Sequence, residues 1–392
     1  MNLPRGFRYA SIYAGIRKQQ KDDLALIVPD QPAEAAAVFT QNMVQASPVR
    51  IARKHLRASK GKVAAVMVNA GNANCATRTG DHVAEVTCKA LAHALRTKAD
   101  FVVPSSTGVI GVELDPKLIT NAIAPLIETL SADSFESVAE AIMTTDTRVK
   151  IASEELNLKG GVVRVAGMTK GSGMIHPNMA TTLGFVMTDV AVASDDLHKM
   201  LLAATERSYN SLSVDGDMST NDMVLLLANG ASGVKPRAKE RLVLKEVVTR
   251  VMESLAEQIA ADGEGARKLI VIQACGFKSN EDARRIARSI ANSPLVKTAV
   301  AGNDPNWGRI LAAAGYSGIA FDPADIDIDL QGVPVCRNGV AAVFQESELK
   351  QKLDQGEVRI RVSSRAKGKG EARFFTCDFT EGYIQINGSY RT

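Results

Sequence analysis

The sequence predicts a mixed α/β fold in which helices pack on mixed β-sheets. Short apolar runs rich in β-branched residues alternate with segments of helical periodicity through most of the chain, and the part from Asp325 onward becomes strand-rich. Aromatic residues make up only 5% of the 392 residues. The core must therefore be built mainly from Ala, Val, Ile and Leu, whose small side chains suit the close packing of helices on sheets.

The first half of the chain alternates predicted strands and helices. Three short apolar runs bounded by turn-forming residues predict buried strands over 24–28, 63–68 and 101–103. A helix begins at Asp81, because apolar residues from Val83 to Ala94 recur at helical spacing, and another is predicted near 134–143. Gly160 and Gly161 indicate a hairpin-like turn, followed by a strand over 162–165.

The second half has the same character and then becomes richer in strands. A long strand is predicted over 183–192, a helix capped by Ser194 extends to the region of residue 207, and a strand covers 223–228. The longest helix covers 239–261, because apolar residues from Val247 to Ile259 form one stripe, and Gly263 ends it. The remaining predictions are a strand over 268–274, a helix over 281–291, and strands over 296–301, 326–330, 333–335, 358–362, 372–379 and 383–387. The sequence contains no evident repeat or long linker, so the position of a domain boundary stays open.

Charge and cysteine content exclude several classes of protein. The 47 basic and 43 acidic residues give a formal charge of +4, and the densest basic run, 361–373, is interleaved with Gly and Ser. Without stacking aromatics, this run is more typical of a solvated loop between two strands than of a nucleic-acid surface. Five cysteines with no C-x-x-C pair favour reduced thiols. With no secretory h-region and no run of about 20 apolar residues, we expect a cytoplasmic protein that binds neither nucleic acid nor membrane.

The common catalytic signatures are absent from the sequence. There is no G-x-S-x-G, H-E-x-x-H, G-x-G-x-x-G or G-x-x-x-x-G-K-[ST] motif. No two of the five histidines have metal-ligand spacing, and three of them fall in helical patterns. Asp215, Asp217 and Asp222 could suggest a metal site, but caps and loop hydrogen bonds are the favoured interpretation. We therefore expect neither a histidine-dependent triad nor a bound metal.

The segment 170–189 is unusual because it joins a glycine-rich loop and a proline turn to two adjacent threonines at the head of an apolar strand. On spacing alone, a loop that enters a core strand is the favoured interpretation, with Thr181 and Thr182 as strand formers. The alternative is attack of the Thr181 hydroxyl on the Ala180 carbonyl, an N-to-O acyl shift that ends in hydrolysis. Cleavage would leave an α-amine with a pKa of about 7.7–8.0, which can act as general base for its own hydroxyl.

The run from Lys170 to Thr182 resembles the cleavage motif of the ornithine acetyltransferase (ArgJ) family of arginine biosynthesis. Further segments resemble the landmarks of that family in the same order: 23–27, 69–74, 104–111, 143–147, 213–222, 262–266, 304–309 and Asn387. The resemblance covers almost the whole chain. It implies a DmpA/ArgJ-like fold and self-cleavage between Ala180 and Thr181, which would give an α chain of residues 1–180 and a β chain of residues 181–392.

The resemblance also implies a reaction. Acetyl would pass from N2-acetyl-L-ornithine to Thr181 and then to the α-nitrogen of L-glutamate. Thr107 and Gly108 match the oxyanion hole of the family, although a plain strand-to-helix turn is the favoured interpretation of these two residues on pattern alone. No cofactor is expected, and whether acetyl-CoA serves as a further co-substrate stays open.

Substrate-binding residues are carried over position by position from the same resemblance. Besides the nucleophile itself they are Thr144 (with Thr145 as the alternative register), Lys170, Glu264, Asn387 and Thr392. On pattern alone, Lys170 would be a surface lysine, Glu264 would lie in a turn at a helix C-terminus, and Asn387 and Thr392 would belong to a frayed tail. Lys170 could anchor a substrate carboxylate and Glu264 the ornithine ammonium. Asp304–Arg309 and Asn69–Asn74 are expected to shape the cleft or the subunit contacts.

Partners and alternatives complete the hypothesis. The two fragments are expected to stay associated, and the family implies a dimer of such pairs. An amidase or aminopeptidase with an N-terminal nucleophile is the second function class, because the two classes differ only in what attacks the acyl-enzyme. A phosphate- or nucleotide-binding enzyme that uses the glycine-rich loops is the third, and it lacks a Walker motif.

Overall fold

The computed structural model describes residues 1–176, 182–366 and 368–389. The strands of the first part are β1 Phe7–Ile12, β2 Leu24–Pro29, β3 Ala33–Phe39, β4 Lys62–Val63, β5 Ala65–Asn69, β6 Val102–Ser106, β7 Lys150–Leu158 and β8 Gly161–Lys170. Its helices are α1 Ser47–Ala58, α2 Gly80–Ala94, α3 Pro116–Glu128 and α4 Phe135–Ala141.

The residues after the first gap continue the alternation of strands and helices. The strands are β9 Leu183–Thr188, β10 Met223–Ala228, β11 Leu269–Phe277, β12 Ile326–Leu330, β13 Val333–Arg337, β14 Val340–Ala341, β15 Glu357–Ser364 and β16 Gly370–Cys377. The helices are α5 Ser194–Arg207, α6 Ala238–Ala261, α7 Asn280–Ala291, α8 Pro294–Ala301, α9 Trp307–Gly315, α10 Glu346–Leu353 and α11 Glu381–Asn387.

The strands form three sheets. The first has the order β1-β2-β5-β6, the middle one β4-β3-β10-β9-β8-β7, and the third β14-β13-β12-β15-β11-β16. Each sheet mixes strand directions, since the β5/β6, β9/β10 and β11/β15 pairs are parallel while the other neighbours are antiparallel. The predicted mixed α/β class with helices on mixed sheets is confirmed.

Apolar cores lie between successive layers of the described chain. One face of the first sheet packs on α2 and α3 around Leu24, Leu91 and Leu126. Its other face meets the middle sheet, and Phe135 of α4 fills part of the space between them. The far face of the middle sheet packs on α5 and α6, beyond which lies the third sheet, covered in turn by α7, α8, α9 and α10. Because the middle sheet is covered on both faces, every residue of β9 and β10 is buried.

Many predicted elements are present with shifted ends. The 159–161 turn joins β7 to β8, the helix predicted over 239–261 is α6, and the strand predicted over 183–192 ends earlier, at Thr188. The solvated loop predicted over 361–373 is shorter, because β15 extends to Ser364 and β16 begins at Gly370. Arg373 therefore lies within a strand, and it pairs with Glu253 of α6 at 2.9 Å.

The strand predicted over 296–301 is wrong, because this segment lies in helix α8. Ser293 caps the helix by accepting the Val296 N–H, and Pro294 occupies the first turn, where its missing N–H removes nothing. Val296 and Val300 both face the third-sheet core. Their four-residue separation is helical spacing, so β-branched residues are buried here on one face of a helix.

The strand predicted over 383–387 is also wrong, because this segment forms helix α11. Thr380 begins the helix by accepting the Gly382 N–H, and the Tyr383 ring lies 4.6 Å from the Phe379 ring, measured between centroids. Ile384 is 70% exposed, so the alternating apolar residues of this segment do not form one buried strand face. None of the helices in the described ranges combines the length and apolar character needed to cross a membrane.

Candidate active site

A cavity of about 260 Å³ opens where the ends of β6 and β8 meet the start of β9 and the loop after α6. It brings together all of the described residues that the sequence predicts to act in the site: Thr107, Gly108, Thr144, Thr145, Lys170, Glu264 and Asn387. Thr181, Ala180 and Thr392 lie outside the described residues. These residues lie around one cavity although they come from distant parts of the sequence.

The Thr107–Gly108 turn follows directly after β6. The Thr107 N–H donates to Asn69 O at 2.8 Å, so this backbone group is already used, whereas the Thr107 hydroxyl oxygen lies 3.5 Å from Lys170 Nζ. No described residue accepts a hydrogen bond from the Gly108 N–H. The donors that this turn can offer to an oxyanion are therefore the Thr107 hydroxyl and the Gly108 N–H.

A side chain at Gly108 would force the neighbouring backbone to move. Its φ is +127°, and a Cβ would lie 2.5 Å from the Gly71 carbonyl carbon and 2.7 Å from the Asn72 nitrogen. Both contacts are with backbone, which cannot rotate away as a side chain can. The loop 69–74 thus packs directly against the Thr107–Gly108 turn, although none of its residues is among the described residues that line the cavity.

Asn221 connects the same loop to the end of β6, a role that the sequence did not indicate. Its buried Nδ2 donates to Ala73 O at 2.7 Å and to Ser106 O at 2.8 Å. Asn69 Nδ2 adds a bond to Asn72 O at 2.8 Å. A motif of asparagines next to glycine signals such loop hydrogen bonds in general, but not which backbone carbonyls they reach.

Lys170 supplies the positive charge of the described cavity lining, and the Asp146 carboxylate lies close enough to affect its pKa. Burial lowers the pKa of Lys170, while the Asp146 carboxylate opposes that change. Burial alone would raise the pKa of Asp146, but the ammonium groups of Lys170 and Lys150 lower it to about 2. Asp146 is therefore a carboxylate at neutral pH and keeps a negative charge next to Lys170.

Another part of the cavity wall is formed by Glu264 and by Tyr383 and Asn387 of helix α11. Asn387 Nδ2 donates to Glu264 Oε2 at 2.8 Å, so the C-terminal helix reaches into the site instead of fraying. A Cβ on Gly265, whose φ is +71°, would lie 2.3 Å from Tyr383 N, which shows how closely the loop after α6 approaches α11. Tyr383 also lines the cavity, and the incorrect strand prediction for this segment hid that contribution.

Asp215 holds the glycine-rich loop in place. Its carboxylate accepts the Met174 N–H at 2.6 Å, the Ile175 N–H at 2.9 Å and the Tyr383 hydroxyl at 3.2 Å. Burial raises the pKa of Asp215, and burial together with the nearby Asp215 charge raises the pKa of the Tyr383 hydroxyl. Loop hydrogen bonding is the predicted role of this aspartate. In the described part of the chain, no group of three or more His, Cys, Asp or Glu side chains is arranged to hold a metal ion.

The described residues on both sides of 177–181 line the cavity. Gly173 and Met174 do so before the segment, and Thr182 and Leu183 after it. The Thr182 hydroxyl donates to Lys170 O at 2.6 Å, which fastens the head of β9 to the end of β8. Asp304–Arg309, in contrast, leads into α9 and lies outside the described cavity lining.

Comparison with known proteins gives consistent similarities over nearly the whole chain. The model of the ArgJ family matches residues 8–392. The arginine biosynthesis bifunctional protein ArgJ of Chlorobaculum tepidum is 44% identical over 391 residues, which cover 99% of this chain and 96% of that protein. The protein of the same name from Thermotoga neapolitana is 43% identical over 400 residues, covering 100% of both.

A solved structure is similar to part of the chain. The crystal structure of the arginine biosynthesis bifunctional protein ArgJ from Bacillus halodurans is 36% identical with a TM-score of 0.51. The match covers 98% of that crystallised chain but 53% of this one.

Proposed function

The chain belongs to the ArgJ family, and from this premise we propose that it is an acetyltransferase of arginine biosynthesis that moves acetyl from N2-acetyl-L-ornithine to L-glutamate. The observation that carries this reaction is the cavity itself. Lys170 and Glu264 offer it opposite charges, and the Thr107–Gly108 turn supplies oxyanion donors beside Lys170. A substrate with a carboxylate, a side-chain ammonium and an acyl group between them matches this arrangement.

The nucleophile of the proposal is Thr181, freed when the chain cleaves itself after Ala180. Two observations support cleavage. First, the described residues on both sides of 177–181 line the cavity. Second, the crystallised Bacillus halodurans chain matches this chain over 98% of its own length but over only 53% of the length of this chain. Residues 181–392 are likewise little more than half of it.

The fold supports continued association of the two fragments. The middle sheet takes β3, β4, β7 and β8 from residues before the cleavage point and β9 and β10 from residues after it. Separation would break the β8/β9 and β3/β10 ladders and expose the buried faces of both strands in the second fragment. We therefore propose that the fragments form one αβ unit. That two such units pair as a dimer is proposed from the resemblance to the family.

The proposed reaction proceeds in two balanced steps. Thr181 Oγ attacks the acetamide carbonyl while its own α-amine takes the hydroxyl proton, and collapse of the tetrahedral intermediate breaks the carbon–nitrogen bond and returns that proton to the ornithine amine. The α-amine of glutamate then attacks the acetyl ester, and the proton that it loses restores the Thr181 hydroxyl as the ester bond breaks. Thr107 and Gly108 stabilise both oxyanions, at about 3–4 kcal/mol for a single donor.

The charge of the cavity favours a cationic donor. Its charged lining residues in the described chain are one lysine, Lys170, and four acids, Asp215, Asp217, Asp222 and Glu264. Such a wall suits an ammonium group and opposes a phosphate-rich ligand. It therefore supports N2-acetylornithine as a ligand of this wall over the phosphate groups that a nucleotide-binding enzyme would have to hold there.

Purified protein would test the proposal at two levels. Mass spectrometry should find fragments 1–180 and 181–392 in the wild type, and a single chain of 41.8 kDa without turnover in Thr181→Ala. An active Thr181→Ala protein that is cleaved at the same bond would overturn the nucleophile assignment.

Assays with N2-acetylornithine, with and without glutamate, separate a transferase from a hydrolase. Acetylglutamate should form only with the acceptor present. Equal deacetylation without glutamate would assign the site to an amidase instead.

Two finer parts of the proposal have their own tests. The relatives are named bifunctional, which supports a second activity, and an assay of thiol release from acetyl-CoA with glutamate would decide whether acetyl-CoA is a second acetyl donor. We also place the enzyme in the cytoplasm, which fractionation of cells that contain a tagged chain would test.

A further inference from the structure

A buried ion triad of Asp146, Lys150 and Asp262 lies next to the cavity. Lys150 Nζ is 2.7 Å from Asp146 Oδ1 and 2.5 Å from Asp262 Oδ2. The side chains of Lys150, Asp146 and Asp262 are 0%, 0% and 2% exposed, and none of them is among the described residues that line the cavity. Three charges are expensive to bury, and apolar side chains of similar volume often stabilise a core as well or better. The triad therefore calls for an explanation beyond packing.

One end of the triad holds the residues at the cationic side of the cavity. Asp146 Oδ2 accepts the Thr144 N–H at 2.9 Å. Asp146 Oδ1 accepts the Gly171 N–H at 2.6 Å, directly after Lys170. A single carboxylate thus holds the backbone of Thr144, a proposed substrate-binding residue, and of Gly171, the residue after Lys170.

The other end holds the segment that carries Glu264. Asp262 Oδ2 accepts the Thr147 N–H at 3.0 Å, Asp262 Oδ1 accepts the Thr147 hydroxyl, and Glu264 follows two residues later. The Glu264 N–H donates to Ser172 O at 2.8 Å, which closes the connection back to the glycine-rich loop. The loop with Thr144 and Thr147, the glycine-rich loop and the loop with Asp262 and Glu264 are therefore joined in a ring by hydrogen bonds.

We propose that the Asp146–Lys150–Asp262 triad is a positioning device that sets the separation between Lys170 and Glu264, and so selects donors by the distance between their carboxylate and their side-chain ammonium. This inference rests on the proposed function and adds a determinant of specificity to it. Lys170 and Glu264 are the groups that contact substrate, whereas the triad acts through the loops that carry them.

The physical reason is the stiffness of a buried ion cluster. Arg148 Nε also lies 3.4 Å from Asp262 Oδ1, and Lys170 lowers the pKa of Asp146. Moving Lys150 away from either carboxylate still weakens the pairing of charges that are buried away from water, so both loops keep one spacing. A donor with one methylene more or fewer shifts its nitrogen by roughly 1 Å, and a misplacement of about 1 Å can lower the rate by up to 10²-fold.

The test compares three donors of different length. They are N2-acetylornithine, the longer N2-acetyllysine and the shorter N2-acetyl-2,4-diaminobutyrate, each assayed for kcat/KM with glutamate. The wild type should prefer acetylornithine over both by about tenfold or more, and Lys150→Met should reduce that preference by a similar factor. The ratio is unaffected by the fraction of active enzyme, so a loss of folded protein alone does not change it.

A matched control removes a different buried lysine. Lys297 is 3% exposed and donates to Thr376 Oγ1 at 2.8 Å and to Cys377 O at 2.5 Å, and it is not among the described residues of the cavity lining. Lys297→Met should keep the wild-type preference whatever it does to stability. An equal loss of preference in both methionine variants would overturn the inference.

A second variant covers the case in which Lys150→Met does not fold. The triple change Asp146→Asn, Lys150→Met and Asp262→Asn removes the three charges of the cluster together, and Lys170 keeps the charges of Asp222 and Glu264 nearby. An unchanged length preference in a folded variant overturns the positioning role and leaves the proposed function intact. A wild type that transfers no acetyl from acetylornithine overturns the proposed function, and the inference with it.

Discussion

Replacement of Gly108 by alanine tests whether the shape of the Thr107–Gly108 turn is needed for catalysis. The new Cβ would lie 2.5 Å from the Gly71 carbonyl carbon, 2.6 Å from the Gly71 oxygen and 2.7 Å from the Asn72 nitrogen. Ordinary contact begins at 3.4 Å. The turn and the loop 69–74 must therefore separate by roughly 0.9 Å, because neither backbone has a rotamer to change.

This displacement affects catalysis more than stability. Strain at a positive φ and the forced contact together should lower the free energy of unfolding by about 1–3 kcal/mol. The same shift moves the proposed oxyanion donors Thr107 and Gly108 away from the reacting carbonyl, and loss of one such donor lowers kcat by about 10²–10³-fold. The measurement is kcat for acetyl transfer, with urea unfolding followed in parallel.

Gly111→Ala is the matched control in the same loop. Gly111 also has a positive φ, +77°, but a Cβ there meets nothing within 4 Å. It should show only the strain of the backbone conformation, about 1 kcal/mol or somewhat more, with little loss of kcat. A folded Gly108→Ala enzyme with the kcat of the wild type would refute the argument, and so would equal losses in the two variants.

Two further substitutions extend these predictions. Thr107→Ala should slow both half-reactions by about 100-fold, because it removes a hydroxyl donor, whereas Thr107→Ser should stay near the wild-type rate. Rapid-quench measurement of each half-reaction tests this. An unchanged rate in the alanine variant would exclude this hydroxyl from the oxyanion hole. Asp146 has a pKa of about 2 in the folded protein, whereas its ordinary value is 3.8. Between these two pH values the folded state binds fewer protons than the unfolded state, so the free energy of unfolding falls as the pH falls. Urea unfolding of Asp146→Asn should therefore depend less on pH in that range than the wild type does, and identical pH dependence would show that Asp146 is not the responsible group.

The sequence pattern was sufficient to predict those helices and strands whose buried residues recur at the spacing of the element itself. The long helix α6 buries Val247, Val251 and Leu255 on one stripe, and β10 is an unbroken apolar run, so both could be predicted from the sequence. Helices α8 and α11 could not, because their β-branched and alternating residues also fit a strand. Their caps, Ser293 and Thr380, decide the outcome only together with the core or ring that each helix packs against.

The sequence by itself determined the class of the fold, the family and the residues that converge on the cavity, since the residues Thr107, Lys170 and Glu264 belong to motifs that can be recognised one at a time. Only the tertiary structure decided which buried side chains connect the loops that carry those residues. Lys150 and Asp262 are 112 residues apart in the chain, and no local period relates them. Their pairing exists because the folded layers exclude water around both charges, and that exclusion is a property of the assembled core.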